Sequence, residues 1–233
     1  VAAKAGCEVM SEIEFASRSW AGRIYYVTGT NGKSTITELL TAVLKEAGYD
    51  ARAFGNIGVA FSEHHRLVSS AESIAVVEVS SFQARNLRAP RVDGIIWSNF
   101  AEDHLDWHGS MSRYFDAKWN ALCHVSEGPI VIGEGVLRFA RHFQKPIPMT
   151  AEVIPEAIET DPAEGHEFAE GRKPSGINQL NTRYVSAFAR HLGIDSGVVD
   201  RVVSQFEFLP HRMEFVGAPQ GIRFGNDSKA TNF

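Results

Sequence analysis

The feature that most constrains the fold is "YYVTGTNGKSTITELLTAVLKEAG", residues 25–48, in which an apolar run, a glycine-rich turn and a long amphipathic segment follow one another. Ile36, Leu39, Leu40, Val43, Leu44 and Ala47 have the spacing of one buried helix face, and Gly48 is well placed to end that helix. Residues 24–27 before the turn read as a buried strand. Strand, turn and helix in this order build a parallel sheet, because a crossover must carry the chain back before the next strand can pair.

The pattern repeats along the chain. Apolar runs at 74–79, 94–97 and 130–132 read as further strands, Leu180, Tyr184, Ala187, Phe188 and Leu192 mark a helix, and 198–206 a second. "MEFVGAPQGIRFG" reads as a hairpin turning around residues 219–221. Residues 156–175, rich in charge and with two prolines, read as irregular surface structure or weak edge strands. The expected fold class is therefore α/β, a mostly parallel sheet flanked by helices, with a small peripheral antiparallel hairpin.

Composition excludes several function classes. At 233 residues and 44% hydrophobic, the chain can bury about 70% of its unfolded surface. A net charge of -5 without a long Lys/Arg run argues against broad binding to nucleic acid or anionic membranes. Cys7 and Cys123 stand far apart, so neither a disulfide framework nor a zinc site is implied, and the cytoplasm fits best. No apolar run reaches the roughly 18 residues of a membrane span.

Gly29, Gly32, Lys33 and Ser34 form G-x-x-G-K-S between strand and helix, with Thr30, Asn31 and Thr35 completing the loop. Backbone amides and the positive helix end suit a phosphate there, Lys33 can reach terminal phosphates and Ser34 can ligate magnesium. The alternative is a turn that uses glycine only for its backbone angles. The loop is shorter than the usual G-x-x-x-x-G-K-[ST].

In "IAVVEVSSFQ", Glu78 closes an apolar strand, where burying an unpaired carboxylate is costly, so a partner such as magnesium is expected. An edge-facing glutamate at an exposed strand end is the alternative. "SNFAEDHLDWHGSMSRYFDAK" follows the next strand and brings Asp103, His104, Asp106, His108 and Lys118 within sixteen residues. Ligands gather at the carboxyl ends of parallel strands, although each residue singly also reads as a solvated loop or helix position, Lys118 included.

"VTGTNGKST" resembles the ATP loop of the Mur ligases and folylpolyglutamate synthetases, which join an amine to a carboxylate using ATP, and "DHLDWH" with its downstream lysine is similar to the Mur ligase D-H-L-D-x-H block. The resemblance runs over about residues 5–232. It implies ATP and two magnesium ions, with Lys33, Glu78, His104 and Lys118 as the catalytic set and Ser34, Glu78, His104 and Lys118 around the metals. It also implies carbamylation of Lys118, which turns a cation into a carboxylate suited to a hard metal. By the same resemblance Asn181 lies beside adenine, Arg212 near the phosphates, Asp227 toward the ribose, Asn56 and Ser80 near a UDP-substrate, and Lys229 and Thr231 near the incoming amino acid and closing hinge. Asn56 as a turn residue, Asn181 as a helix cap and Arg212 as a surface cation stay open. One departure is Ile177 followed by Asn178, where the family commonly has histidine and asparagine.

Within the family, "EVSSFQ" and "NDSKATN" are most similar to the branch that adds D-glutamate to UDP-N-acetylmuramoyl-L-alanine; the branch adding diaminopimelate or lysine usually has histidine where Phe82 stands. The resemblance implies a monomeric, cytoplasmic, ATP-dependent ligase of peptidoglycan precursor synthesis, acting through an acyl phosphate. It divides the chain into residues 1–20, the end of a UDP-binding domain and linker; 21–226, a central ATP-binding domain; and 227–233, the start of a linker onward. Val1 is not a start methionine, so a piece of a longer protein is expected, inactive by itself in ligation. A sibling Mur ligase, a folylpolyglutamate-synthetase-like enzyme and a nucleotide-binding module without catalysis are the competing readings.

Overall fold

The computed structural model describes residues 6–156, 176–206, 214–217, 220 and 224–226. In chain order the elements are α1 (Glu12–Ser17), β1 (Arg23–Thr28), α2 (Lys33–Glu46), β2 (Ala51–Gly55), a 3-10 helix (Phe61–Arg66), β3 (Ile74–Glu78), α3 (Ser81–Ala84), β4 (Gly94–Trp97), α4 (Leu105–His108) and α5 (Met111–Leu122). They continue with β5 (Ile130–Gly133), α6 (Glu134–His142), β6 (Glu152–Ile154), α7 (Gly176–His191), α8 (Ser196–Gln205), β7 (Glu214–Gly217) and β8 (Phe224–Asn226).

Six strands form one sheet in the order β2-β3-β1-β4-β5-β6, every pair parallel, and β7 and β8 form a separate antiparallel pair. The expected class and hairpin are both present. The four apolar runs of the sequence became the interior strands β3, β1, β4 and β5, which are buried on both faces and so read as continuous hydrophobic runs. The edge strands β2 ("ARAFG") and β6 ("EVI") have no such run, and pairing with β3 and β5 defines them instead. Residues 157–175 lie outside the described residues.

Alternate strand residues feed two cores. Tyr26, Val77, Ile95, Trp97 and Ile132 pack with α1, α5 and α6 on one face, whereas Tyr25, Val27, Val76, Ile96 and Val131 pack with α2, α7 and α8 on the other. Ile13 and Ala16 of α1 share the first cluster with Trp20, Phe54 and Phe61. The helix α1 starts at Ser11, whose hydroxyl accepts from the Glu14 amide at 3.1 Å. Among the described residues no helix is long and apolar enough to cross a membrane.

Candidate nucleotide-binding site

The turn from β1 into α2 is held by close approach. A Cβ on Gly29 would lie 2.2 Å from Ser98 Oγ, and one on Gly32, whose φ is +80°, would lie 2.6 Å from Asn181 Oδ1. Neither position tolerates a side chain without displacing a neighbour, so the glycines do more than set backbone angles. The helix α2 opens directly at Lys33, with Ser34 buried in its first turn and Thr35 half-buried beside it. The Lys33 ammonium folds back over the loop and donates to Gly29 O at 3.1 Å and Thr30 O at 2.8 Å. Amides at a helix start beside a lysine make an anion cradle.

Strand register brings Glu78 to the same end of the sheet, since Val27 lies opposite it. Its side chain is 2% exposed, so the edge-facing alternative is excluded. Asn56 Nδ2 donates to Glu78 Oε1 at 3.0 Å, while Oε2 is buried with no partner among the described residues. Asn56 is thus more than a turn residue. A carboxyl group with one orphaned, buried oxygen fits a cation that a protein donor does not replace.

Lys118 is the largest surprise relative to its local sequence. Far from lying on a helix surface, it is 1% exposed, and its amine donates to Gly29 O at 2.7 Å and Thr28 Oγ1 at 3.4 Å, 5.2 Å from the Tyr114 ring centre. Burial, and after it the charge of Lys33, hold this amine well below the usual lysine range, with Asp103 and Glu78 pulling the other way.

The remaining expected residues are placed unevenly. Asn181 lies 4% exposed inside α7, not at a cap, with its amide against Gly32. Ile177 and Asn178 fall in the first turn of the same helix. Ser80 caps α3, its hydroxyl and amide both engaged with Gln83 in a capping box, so that hydroxyl already has a structural partner. His104 takes a left-handed backbone, φ 52°, at the start of α4, its ring 5.1 Å from that of Phe82 and its Nδ1 3.4 Å from Asp103 Oδ1. Such a backbone is uncommon for a residue with a side chain. Arg212, Asp227, Lys229 and Thr231 lie outside the described residues. Among the described residues, no three His, Cys, Asp or Glu side chains group as a ready-made metal site.

Several residues that sequence reading passed over hold the loop. Asn99 binds the Thr30 and Asn31 amides, Ser98 Oγ donates to Asn31 O at 3.0 Å, Tyr114 OH lies 3.2 Å from Thr30 Oγ1, and Tyr184 OH donates to Ser98 O. The one local hint was the placement of Ser98 and Asn99 directly after an apolar strand, at the end of the sheet where ligands gather.

Sheet order, loop and buried lysine define a phosphate-loop α/β domain. Residues 27–145 match the family model described as the Mur ligase middle domain, and the chain belongs to that family. Among its relatives, the UDP-N-acetylmuramoylalanine--D-glutamate ligase of Aquifex aeolicus is 33% identical over 96% of this chain and 54% of its own length. The chain thus spans about half the length of the curated relatives it matches. Of solved structures, MurF from Acinetobacter baumannii matches with a TM-score of 0.67 at 17% identity over 92% of this chain and 52% of its own. MurF ligase from Thermotoga maritima in complex with ADP matches with 0.62 at 17% over 88% and 54%. At these identities the likeness is one of fold.

Proposed function

We propose that this chain is the ATP-holding part of a ligase that adds D-glutamate to UDP-N-acetylmuramoyl-L-alanine in peptidoglycan precursor synthesis. The observation that carries the reading is the Lys118 amine, buried and 2.7 Å from Gly29 O, which joins the D-H-L-D-x-H block to the phosphate loop. The likeness to D-glutamate ligases over nearly the whole chain supports the choice of branch.

In this reading Gly29, Thr30, Asn31, Gly32, Lys33, Ser34 and Thr35 hold the triphosphate and Asn181 borders the adenine. Lys33 would leave its two carbonyl partners for the terminal phosphates. Ser34, Glu78, His104 and carbamylated Lys118 would hold two magnesium ions, which when bound neutralise phosphate charge and let two anions approach. Asn56 keeps Glu78 oriented toward them. Asn56 and Ser80 also border the UDP-substrate, and Arg212, Asp227, Lys229 and Thr231 complete the nucleotide and amino-acid sides. The alanyl carboxylate would take the phosphoryl group and the D-glutamate amine would displace it, with no protein nucleophile required. The domain division at residues 20 and 226, a monomeric state and a cytoplasmic site of action belong to the same proposal.

Magnesium-dependent ATP binding, measured by calorimetry, is expected to be lost in Lys33→Ala, and unchanged affinity there would overturn the reading. Carbon-13 carbon dioxide is expected to give a carbamate NMR signal absent from Lys118→Met. For the branch, ADP formation by the full-length protein should depend on D-glutamate rather than on diaminopimelate or lysine.

A further inference from the structure

We infer that Asn99 is a positioning residue for the phosphate loop, an external splint that stands in for the residues the short loop lacks; the inference rests on the nucleotide reading above. Its side-chain oxygen accepts from the Thr30 amide at 3.1 Å and the Asn31 amide at 2.9 Å, and its side-chain nitrogen donates to Asn31 O at 3.0 Å. Its own carbonyl also accepts from the Thr30 amide at 3.2 Å. One half-buried asparagine therefore engages both polar groups of Asn31 and the amide of Thr30, the two residues between the glycines.

The consequence concerns which donors the loop offers an anion. A loop two residues shorter than the usual phosphate loop cannot wrap its backbone as far around a phosphate. Here two of its amides point instead at Asn99, which leaves the anion-facing role to the amides that open α2 from Gly32 onward. The same corner is fixed from behind. Asn99 Nδ2 lies 3.2 Å from Ser98 Oγ, Ser98 Oγ donates to Asn31 O at 3.0 Å, and Ser98 O accepts from Tyr184, three residues along α7 from Asn181. The splint thus ties the phosphate loop to the helix that borders it at Gly32. Asparagine suits the position because it offers an acceptor and a donor in one planar group; aspartate would keep the acceptor for the two amides but face Asn31 O with a second acceptor.

The test uses the full chain. Without nucleotide, amide hydrogen exchange at Asn31 should be at least about tenfold faster in Asn99→Ala than in the wild type, with a smaller rise at Thr30, whose amide keeps the residue-99 carbonyl, and Mg-ATP affinity should fall roughly tenfold to a hundredfold, the worth of the two side-chain hydrogen bonds to Asn31. Adenosine affinity, read by saturation-transfer NMR, should not change, because the splint acts on the phosphate end. Asn99→Asp should keep the two amides protected while losing ATP affinity, and it serves if the alanine variant does not fold. Equal exchange in the wild type and Asn99→Ala, loss of protection in Asn99→Asp, or a parallel fall in adenosine affinity would overturn the inference. Lys33→Ala is the reference: if it alone weakens ATP, the splint fails and the nucleotide reading stands; if ATP affinity is unmoved by Lys33→Ala, the nucleotide reading itself fails.

Discussion

Two buried glutamates, Glu14 in α1 and Glu78 at the end of β3, have opposite surroundings. Glu14 in α1 is fully buried, yet it takes Arg18 at 2.8 Å, the Arg88 amide at 2.7 Å and the Ala89 amide at 3.3 Å. Burial pushes its carboxyl up, but the Arg88 amide, Arg18 and the Ala89 amide outweigh that and hold it below the usual 4.5. Glu78 at the end of β3 has Asn56 on one oxygen and none of the described residues on the other. A charge whose every acceptor is filled by the protein holds a structure together, whereas one left half-filled at a strand's carboxyl end is set aside for a ligand.

The largest expected effect separates the two by activity. On the ligase reading proposed above, Glu78→Gln in the full-length protein should lower turnover by roughly 10²–10³-fold while the thermal midpoint holds or rises, because a neutral amide costs less to bury than a half-partnered carboxylate. A large fall in stability with turnover intact would reverse the assignment. Glu14→Ala should do the opposite, costing about 2–3 kcal/mol in urea unfolding, because two backbone donors and a guanidinium lose their acceptor. Its nucleotide affinity should match the wild type.

Smaller effects sharpen the contrast. Tyr184→Phe removes the donor to Ser98 O and should cost about 1 kcal/mol, read from the shift of the urea midpoint. The smallest concerns pH on the α1 side. His64 Nε2 lies 3.0 Å from Ser19 Oγ and 3.2 Å from Ala16 O, and burial, then neighbouring His65, lower its pKa from 6.5. Because the unfolded chain binds the extra proton more readily, the stability from His64 is fully present above pH 6.5 and lost as pH falls through the lowered folded value. Stability should therefore drop between pH 7.5 and 5.5, less so in His64→Gln, with ATP affinity in the two proteins moving in parallel over that range.

Legibility in the sequence followed the range of the interactions. The loop from Gly29 to Ser34 could be read because strand, turn and helix are local, and the interior strands because burial on both faces leaves an unbroken apolar run. The helix α6 escaped despite Val136 and Ala140 on its buried side, and β2 and β6 escaped because an edge strand is defined by its neighbour. The capping box at Ser80 was not read either, although Ser80 and Gln83 stand three residues apart.

By itself, the sequence determined the sheet class, the phosphate loop and, through its likeness to the Mur ligases, the residues expected around it. These depend on period, turn chemistry and short motifs, all set by neighbours in the chain. Only the tertiary structure decided that Lys118 is buried against Gly29, that Glu78 keeps an orphaned oxygen and that Asn99 splints Thr30 and Asn31. The Asn99 and Lys118 contacts join residues 68–89 positions apart, and burial and charge at such pairs exist only once the parallel sheet has brought its strand ends together.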